Sequence, residues 1–202
     1  MLIRPHDDGA EDENRWRAFV VDQGFGHLAA AGVDRAVPVV VPTQFTLQND
    51  HLVLHLARQN PIFACLEDNP QCVMSVAGDW AYIPGSWKAI GDEDPRFGIP
   101  TTYYAAVQLI GTATVMEDPG DVAAGLRAQL GDLEPDGDLV DPIEHDRSLR
   151  AIRGLRIAIG EVRAKFKFGG NVDQEHRDAI AAQLRSRGGP GDAAALRHIP
   201  GV

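Results

Sequence analysis

Apolar and polar residues alternate through residues 51–57, a short segment that organises the interpretation of the chain around it. Three leucines share one face of this segment: Leu52, Leu54 and Leu56. A period of two is typical of a half-buried β-strand. Asn60 and Pro61 follow, where a helix N-cap and a first helical residue are expected. The pattern therefore predicts a strand that leads almost directly into a helix.

The corner between this strand and this helix has the composition of an anion-binding site. The free amides and the positive dipole end of a helix attract anions, and Arg58 adds a charged donor beside them. A bound phosphate is one interpretation of the corner. The other is an ordinary capped turn in which Arg58 is solvated, because caps of this kind are common. The spacing of the residues leaves both interpretations open.

Strand-like alternation continues on both sides of the corner. The predicted strands cover residues 25–31, 37–47, 51–57, 72–77, 80–83, 101–116 and 155–168. The first three follow one another as a meander, with a turn at residues 32–34, which includes Asp34, and another at residues 48–50. The fourth and fifth form a further pair around Gly78 and Asp79. Consecutive strands joined by short turns predict an antiparallel sheet.

Helical periodicity accounts for the other regular segments. The predicted helices cover residues 11–23, 61–68, 118–130, 143–153 and 173–187. In the first helix Trp16, Phe19 and Val20 lie on one face, and Gly24 is expected to end it. Residues 84–100 contain too many glycines and prolines for regular structure. They are predicted to form a loop of the length found at functional sites.

These elements predict a fold that is mainly β with flanking helices (α+β), built on an antiparallel barrel of about six strands. A chain of 202 residues is long enough for one large domain or two small ones. We expect a single domain over residues 1–187 that ends in a C-terminal helix, followed by a flexible tail, rich in Gly and Pro, over residues 188–202. A small closed barrel fills its interior with side chains. A sizeable ligand is therefore expected on its outside or at a subunit seam.

Composition and charge exclude several classes of function. No apolar run approaches the roughly 18 residues of a membrane span. The formal net charge of −10 disfavours general binding to nucleic acid. The charge is uneven, because residues 147–187 carry ten Arg or Lys against four Asp or Glu. An acidic N-terminus and only two cysteines, Cys65 and Cys72, predict a reduced, cytoplasmic protein without a disulfide.

Motifs of the common enzyme classes are missing from the sequence. The seven histidines are scattered and neither cysteine has a companion at ligand spacing, so no metal site is predicted. Motifs of hydrolases, nucleotide triphosphatases and dinucleotide-binding proteins are also missing, and no catalytic residue is assigned. Arg163, Lys165 and Lys167 share one face of the last predicted strand. This row is either a solvated strand face or a functional set of cations.

Four separated blocks of the sequence occur in the order found in a known family. They are HLARQNP (55–61), AYIPGSW (81–87), PTTYYAAVQLIG (100–111) and AKFKFGGN (164–171). Together they resemble the PaiB-type FMN-binding negative transcriptional regulators over nearly the whole chain. That family is similar in fold to the pyridoxamine-phosphate-oxidase-like flavin-binding split barrels, which are homodimers with FMN at the subunit seam. The resemblance implies FMN as cofactor, a split β-barrel and a homodimer.

The resemblance also implies which residues bind the phosphate end of FMN. The phosphate is expected where the strand meets the helix, at His55, Arg58 and Asn60. Lys165 and Lys167 belong to the last of the four blocks, and a contact with the phosphate or the flavin from the other subunit would explain their shared face.

Other residues are implied at the flavin ring. Backbone groups of the preceding strand are expected at the ring edge, at Pro42, Thr43 and Phe45. Three aromatic residues are candidates to flank the ring: Trp87, Tyr103 and Tyr104.

Three classes of function are compatible with these residues. The first is a flavin-binding regulator of the PaiB type, the second an FMN-dependent oxidoreductase resembling flavin reductases, and the third a heme-binding or heme-degrading protein on the same barrel. Direct binding to DNA is disfavoured, because no helix-turn-helix with a basic recognition helix is predicted. A regulator of this kind would act through a partner or through the basic segment at residues 147–187.

Overall fold

The computed structural model describes residues 1–33 and 35–202, and it confirms a fold that is mainly β with flanking helices. The strands are β1 (Phe25–Ala30), β2 (Val39–Gln44), β3 (Thr46–Gln48), β4 (His51–Ala57), β5 (Gln71–Ile83), β6 (Thr101–Met116) and β7 (Ile152–Lys167). The α-helices are α1 (Glu13–Gln23), α2 (Ile62–Asp68), α3 (Pro119–Leu133), α4 (Asp146–Arg150), α5 (Gln174–Arg187) and α6 (Asp192–Leu196). Single 3₁₀ turns occur at Pro5–Asp7, Gly85–Lys88, Pro95–Phe97 and Pro142–Glu144.

The strands form one seven-stranded sheet in the order β2-β1-β5-β6-β7-β4-β3. β1 pairs antiparallel with β2 and β5, and β4 pairs antiparallel with β3 and β7. The two strands at the ends of this order, β2 and β3, are separated in the chain only by Phe45. The predicted antiparallel arrangement is confirmed.

The predicted meander at the start of the sheet is confirmed, with its second strand broken in two. β2 pairs with β1 through residues such as Thr43, which lies opposite Gly26. β3 pairs instead with β4, where Thr46 lies opposite Val53. The break falls at Phe45, whose side chain is buried. Asp34, in the predicted turn between the first two strands, lies outside the described residues.

The predicted strand pair around Gly78 and Asp79 is wrong, because β5 runs without a turn through both residues. Asp79 has a positive φ of 50°, a conformation that Asp tolerates better than most residues. Its carboxylate accepts a 2.7 Å hydrogen bond from His198 Nε2. Glycine followed by Asp is typical turn chemistry, but here the local backbone distortion is accommodated within a continuous strand.

The structure also differs from the sequence-based helix bounds near residue 150. The predicted helix over residues 143–153 is represented by a 3₁₀ turn and the five-residue helix α4, and β7 already begins at Ile152. Asp118 caps α3 through hydrogen bonds from the amides of Gly120 and Asp121, as its position before Pro119 predicts. No helix in the described part of the chain is both long and apolar enough to cross a membrane.

The described chain divides into two compact units. The first unit consists of Met1–Trp16, Ala77–Val107 and Arg163–Val202, and the second of Arg17–Val76 and Gln108–Val162. The largest fully buried side chains of the first unit are Ile83, Phe168, Ile180 and Leu184. In the second unit they include Leu28, Leu52, Leu54, Met74, Leu109, Leu155 and Ile157. A single domain over residues 1–187 stays a prediction.

The C-terminal segment is structured, which differs from the predicted flexible tail over residues 188–202. Helix α6 lies in this segment, and the side chains of Asp192 and Ile199 are buried. Arg187 at the end of α5 donates to the Asp192 carboxylate at 2.8 Å, and the amide of Gly189 donates to the same carboxylate at 2.8 Å. These contacts, which composition does not reveal, hold the segment in place.

Candidate functional site

At the corner between β4 and α2, in the second unit, Pro61 takes the N-cap position predicted for Asn60. Asn60 lies one residue earlier and still hydrogen-bonds the start of the helix. Its side-chain Oδ1 accepts the amide of Ile62 at 3.1 Å, and its main-chain oxygen accepts the amide of Phe63 at 3.2 Å. Helix α2 begins at Ile62, so Pro61 lies just before the helix and not at its first position. The first amides of the helix are therefore already hydrogen-bonded within the corner.

The Arg58 side chain is engaged by the main chain at the start of β7. Nε donates to the carbonyl of Arg150 at 2.8 Å, and a terminal nitrogen donates to the carbonyl of Ile152 at 3.1 Å. Another terminal nitrogen lies 4.0 Å from a carboxylate oxygen of Glu117. Arg58 thus holds two segments of the second unit together. Neither of the two interpretations of the sequence, a phosphate site or a solvated arginine, predicts this role. Its contact with a phosphate stays a prediction.

The other predicted residues of the second unit lie on β4, on β2 and directly after β2. His55 is exposed, and its Nδ1 lies 2.7 Å from Oε1 of the buried Gln129. Thr43 is buried and donates through its hydroxyl to the main-chain oxygen of Gln44. Pro42 is exposed.

The first unit contains a cavity of about 280 Å³ that brings together three of the predicted residues, Tyr103, Lys165 and Lys167. Lys167 Nζ donates to the hydroxyl oxygen of Thr101 at 2.6 Å. Lys165 Nζ donates to the carbonyl of Leu2 at 3.0 Å. The two ammonium groups thus meet in one polar cavity at the end of β7.

Both lysines also lie near the ring of Tyr104. Lys165 Nζ is 5.5 Å and Lys167 Nζ 6.0 Å from the ring centroid, within the range of cation–π attraction. Burial is the largest cause that lowers the pKa of Lys167, and repulsion from Lys165 lowers it further. The buried carboxylate of Asp7 acts in the opposite direction.

The remaining aromatic candidates have different surroundings. Tyr103 is buried edge-to-face against Phe168, with ring centroids 5.9 Å apart. Burial raises the pKa of its hydroxyl to about 12, so Tyr103 is a neutral hydrogen-bond donor at physiological pH. Trp87 does not line the cavity. The Arg187 guanidinium lies 4.6 Å from its ring centroid, which gives Trp87 a packing contact with α5.

Sequence reasoning missed two cations of this cavity, Arg4 and Lys88. Arg4 precedes the turn at Pro5–Asp7, and Lys88 ends the turn at Gly85–Lys88. One signal was available in the sequence. Lysine occurs only three times in the chain, and Lys88 is the lysine outside the block at residues 164–171.

Within residues 1–33 and 35–202, no group of three or more His, Cys, Asp or Glu side chains is arranged to hold a metal ion. Cys65 and Cys72 are buried free thiols, and burial raises the pKa of Cys72 to about 11.

The hydrogen-bond donors of the cavity that contains Tyr103, Lys165 and Lys167 suit the phosphate group of FMN. Ammonium groups bind phosphate as point charges, and charge-assisted hydrogen bonds to phosphate are stronger than neutral ones. The Tyr103 hydroxyl stays protonated, because its pKa is raised to about 12, and so adds a neutral hydrogen-bond donor. FMN carries a phosphate, and the cavity of about 280 Å³ suits that end of the molecule.

Comparison with known proteins agrees with the resemblance found in the sequence blocks. Residues 1–161 match the family model described as "putative FMN-binding domain". The chain is 25% identical over 188 residues to protease synthase and sporulation protein PAI 2 of Bacillus subtilis (strain 168), covering 88% of this chain and 86% of that protein.

Solved structures share the fold. The flavocytochrome Anf3 from Azotobacter vinelandii superposes with a TM-score of 0.63 at 20% identity, covering 84% of this chain and 73% of that chain. The FAD and heme binding protein from Mycobacterium smegmatis gives a TM-score of 0.63 at 21% identity, covering 84% and 77%. The predicted split-barrel fold, the resemblance to PaiB-type proteins and the FMN cofactor are confirmed. Because the family model matches most of the chain, the protein belongs to this family of FMN-binding domains.

Proposed function

We propose that the protein is a homodimeric flavoprotein of the PaiB type, with FMN at the seam between two copies. The match of residues 1–161 to the FMN-binding family carries this proposal. Bound FMN supplies electron-transfer or hydride-transfer chemistry, while the protein binds and orients it. The two cysteines are free thiols, which suits the reducing environment of the cytoplasm, where we place the protein.

The proposed site takes different residues from each copy. One copy contributes the end of β4 and the strand before it: Pro42, Thr43, Phe45, His55, Arg58 and Asn60. The second copy contributes the end of β7 and nearby aromatic residues: Trp87, Tyr103, Tyr104, Lys165 and Lys167. The lysines and Arg58 all supply positive charge, and two of the Arg58 donors already bind main-chain carbonyls.

The absorbance of the purified protein tests the cofactor. A flavin gives an absorbance band at about 450 nm, whereas heme gives a Soret band. We expect the flavin band, and we expect the flavin released by heat to be FMN at one molecule per chain. A Soret band without flavin would favour the heme-binding alternative, and a protein that binds no added FMN would contradict the proposal.

A mixing experiment tests whether the site spans two copies. One variant carries Lys165→Gln and Lys167→Gln, and the other carries Arg58→Ala. Each variant alone is expected to bind FMN more weakly than wild type, but a mixed dimer contains one site with both native halves. We expect mixing to restore binding to one FMN per mixed dimer. If mixing restores nothing although both variants fold and exchange subunits, the residues do not act across copies.

Regulation of transcription is a second candidate function, because the chain resembles PaiB-type regulators and aligns with most of PAI 2. A net charge of −10 disfavours contact with the DNA phosphates, so we propose that regulation acts through a protein partner. A gel-shift assay at physiological salt, with duplex DNA from upstream of the protein's own gene, tests this. We expect no shift, and a saturable, sequence-dependent shift would show direct binding.

A further inference from the structure

All three lysines of the chain line one cavity of the first unit. Lys88 reaches it from the turn after β5, and Lys165 and Lys167 reach it from the end of β7. Arg4 lines the same cavity from the N-terminal segment. The rest of the 202-residue chain carries its positive charge on arginine alone. Four cations from three separate parts of the sequence thus line one cavity of about 280 Å³.

These cations are not neutralised by an equal number of acids. Asp7 is the single carboxylate among the residues that line the cavity. Two of the acids that follow Lys88 have other contacts: Glu93 lies 3.7 Å from His176 Nε2, and Asp94 pairs with Arg96 at 2.6 Å. The cavity therefore holds an excess of positive charge in a protein whose net charge is −10.

Crowding of like charges opposes their ionisation, and the effect is visible at Lys167. Its pKa is lowered by burial and, to a smaller extent, by Lys165, Lys88 and Arg4, while Asp7 acts in the opposite direction. A fold gains no packing advantage from such a cluster, because charged groups that face one another repel. A bound anion removes this repulsion and gains charge-assisted hydrogen bonds from several donors at once.

We propose that this cavity binds an oxyanion, the phosphate or carboxylate group of a small ligand. A volume of about 280 Å³ is at the lower end of small-molecule sites, which suits one anionic group and a short attached part. Two sources share this chemistry: the phosphate of FMN, and a separate substrate that carries a phosphate or carboxylate. Arg4 and Lys88 are not among the proposed FMN contacts. Substitutions of these two residues therefore test the oxyanion site separately from the proposed FMN site.

The small number of lysines makes the cavity directly observable. Reductive methylation with ¹³C-formaldehyde keeps the charge of each lysine and labels only the three lysines and the N-terminal amine. Titration of the full-length protein with inorganic phosphate is expected to shift the lysine resonances in a saturable manner. Chloride at the same ionic strength is expected to leave them unchanged. Equal responses to both ions would overturn the proposal.

Two variants and a matched control test the contribution of the added cations. Arg4→Gln and Lys88→Gln are each expected to weaken phosphate binding about tenfold, as the loss of a charge-assisted hydrogen bond predicts. Arg185→Gln removes one exposed positive charge from α5 of the same unit and is expected to leave affinity unchanged. If the cavity variants melt like wild type and still bind phosphate as tightly as the control does, the assignment is wrong.

Titration with and without FMN distinguishes the two sources. If saturating FMN abolishes the phosphate response, the cavity holds the phosphate of FMN. If the response persists in FMN-loaded protein, the cavity takes a second, anionic ligand. Either result supports the oxyanion site. Failure of FMN to bind while phosphate still binds would contradict only the proposed function.

Discussion

The guanidinium of Arg58 donates to the carbonyls of Arg150 and Ile152, and these bonds hold the start of β7 against the corner after β4. Arg58→Ala leaves both carbonyls without this donor. We expect the free energy of unfolding to fall by about 1–3 kcal/mol, measured by urea denaturation. Arg147→Ala removes an exposed arginine of α4 and is the matched control, with an expected change within about 0.5 kcal/mol.

The same variant tests a role for Arg58 in FMN binding. If a charged hydrogen bond to the phosphate is lost, affinity should fall about 10- to 100-fold. Comparison with riboflavin, which has no phosphate, separates this loss from a general distortion of the corner. A direct contact predicts a loss for FMN alone, whereas an equal loss for both ligands, or none, would remove Arg58 from the phosphate site.

Tyr103 makes the stability of the fold depend on pH in the alkaline range. Burial raises the pKa of its hydroxyl to about 12, so between about pH 10 and pH 12 the unfolded chain loses this proton while the folded protein keeps it. Stability is therefore present below pH 10 and is lost as the pH rises toward 12. A shift of this size corresponds to an effect on the order of 2–3 kcal/mol.

Tyr103→Phe should remove that part of the alkaline loss. The measurement is the free energy of unfolding at pH 9 and at pH 11 for both proteins. Tyr82→Phe, at a half-exposed position, serves as the control and should behave like wild type. An identical alkaline decline in Tyr103→Phe and wild type would show that burial of Tyr103 does not control it.

Single side chains also show what the sequence pattern predicts well. The alternation in β4 correctly places Leu52, Leu54 and Leu56 in the core. It does not predict that Val53, on the other face, is also buried. Val53 packs in a cluster with α3 and Leu149. The alternation of apolar and polar residues along one strand cannot predict such contacts between distant segments.

At the scale of elements, α6 shows where local pattern fails. Five residues are too few for a helix to be stable alone, so α6 depends on tertiary contacts. Those contacts converge on Asp192, whose carboxylate accepts from Arg187 and from the amide of Gly189. A segment rich in glycine and proline is predicted as loose because composition carries no sign of a buried carboxylate.

Asp192→Asn tests this anchoring of α6. The substitution removes the charge that pairs with Arg187, and we expect the free energy of unfolding to fall by about 1–3 kcal/mol and cleavage within residues 188–202 by added protease to increase. Glu175→Gln, an exposed position in the first turn of α5, is the control. Unchanged protease resistance would mean that other contacts hold the segment.

The Asp192 contact also has a pH dependence of known sign. The hydrogen bond from Arg187 is the largest cause that lowers the pKa of Asp192 in the folded protein. The stability from this pair is therefore present above the ordinary pKa of Asp, about 4, and is lost as the pH falls through the lower pKa of the folded protein. Asp192→Asn should lack this acid-side loss.

At the scale of the whole molecule, charge is arranged in a way that a net value conceals. The count of ten basic residues within residues 147–187 correctly draws attention to Lys165 and Lys167. It does not place Arg4 and Lys88 beside them, because these come from segments about 80 to 160 residues away that only the fold brings together. The family blocks predict the fold and the cofactor, whereas the cavity depends on long-range contacts that only the three-dimensional structure shows.

Dimerisation and FMN binding should be coupled if the cofactor contacts two copies. A ligand that binds only the dimer stabilises it by mass action, and FMN at about 100 times its Kd should strengthen association roughly 100-fold for each site. Sedimentation of the protein over a range of concentrations, with and without FMN, measures the dimer dissociation constant directly. Riboflavin, which lacks the phosphate, separates the contribution of the anion-binding residues from that of the ring. Equal dissociation constants with and without FMN, or FMN bound stably to a monomer, would place the cofactor within a single copy, because a ligand shared across a seam must favour the assembled state over the separated one.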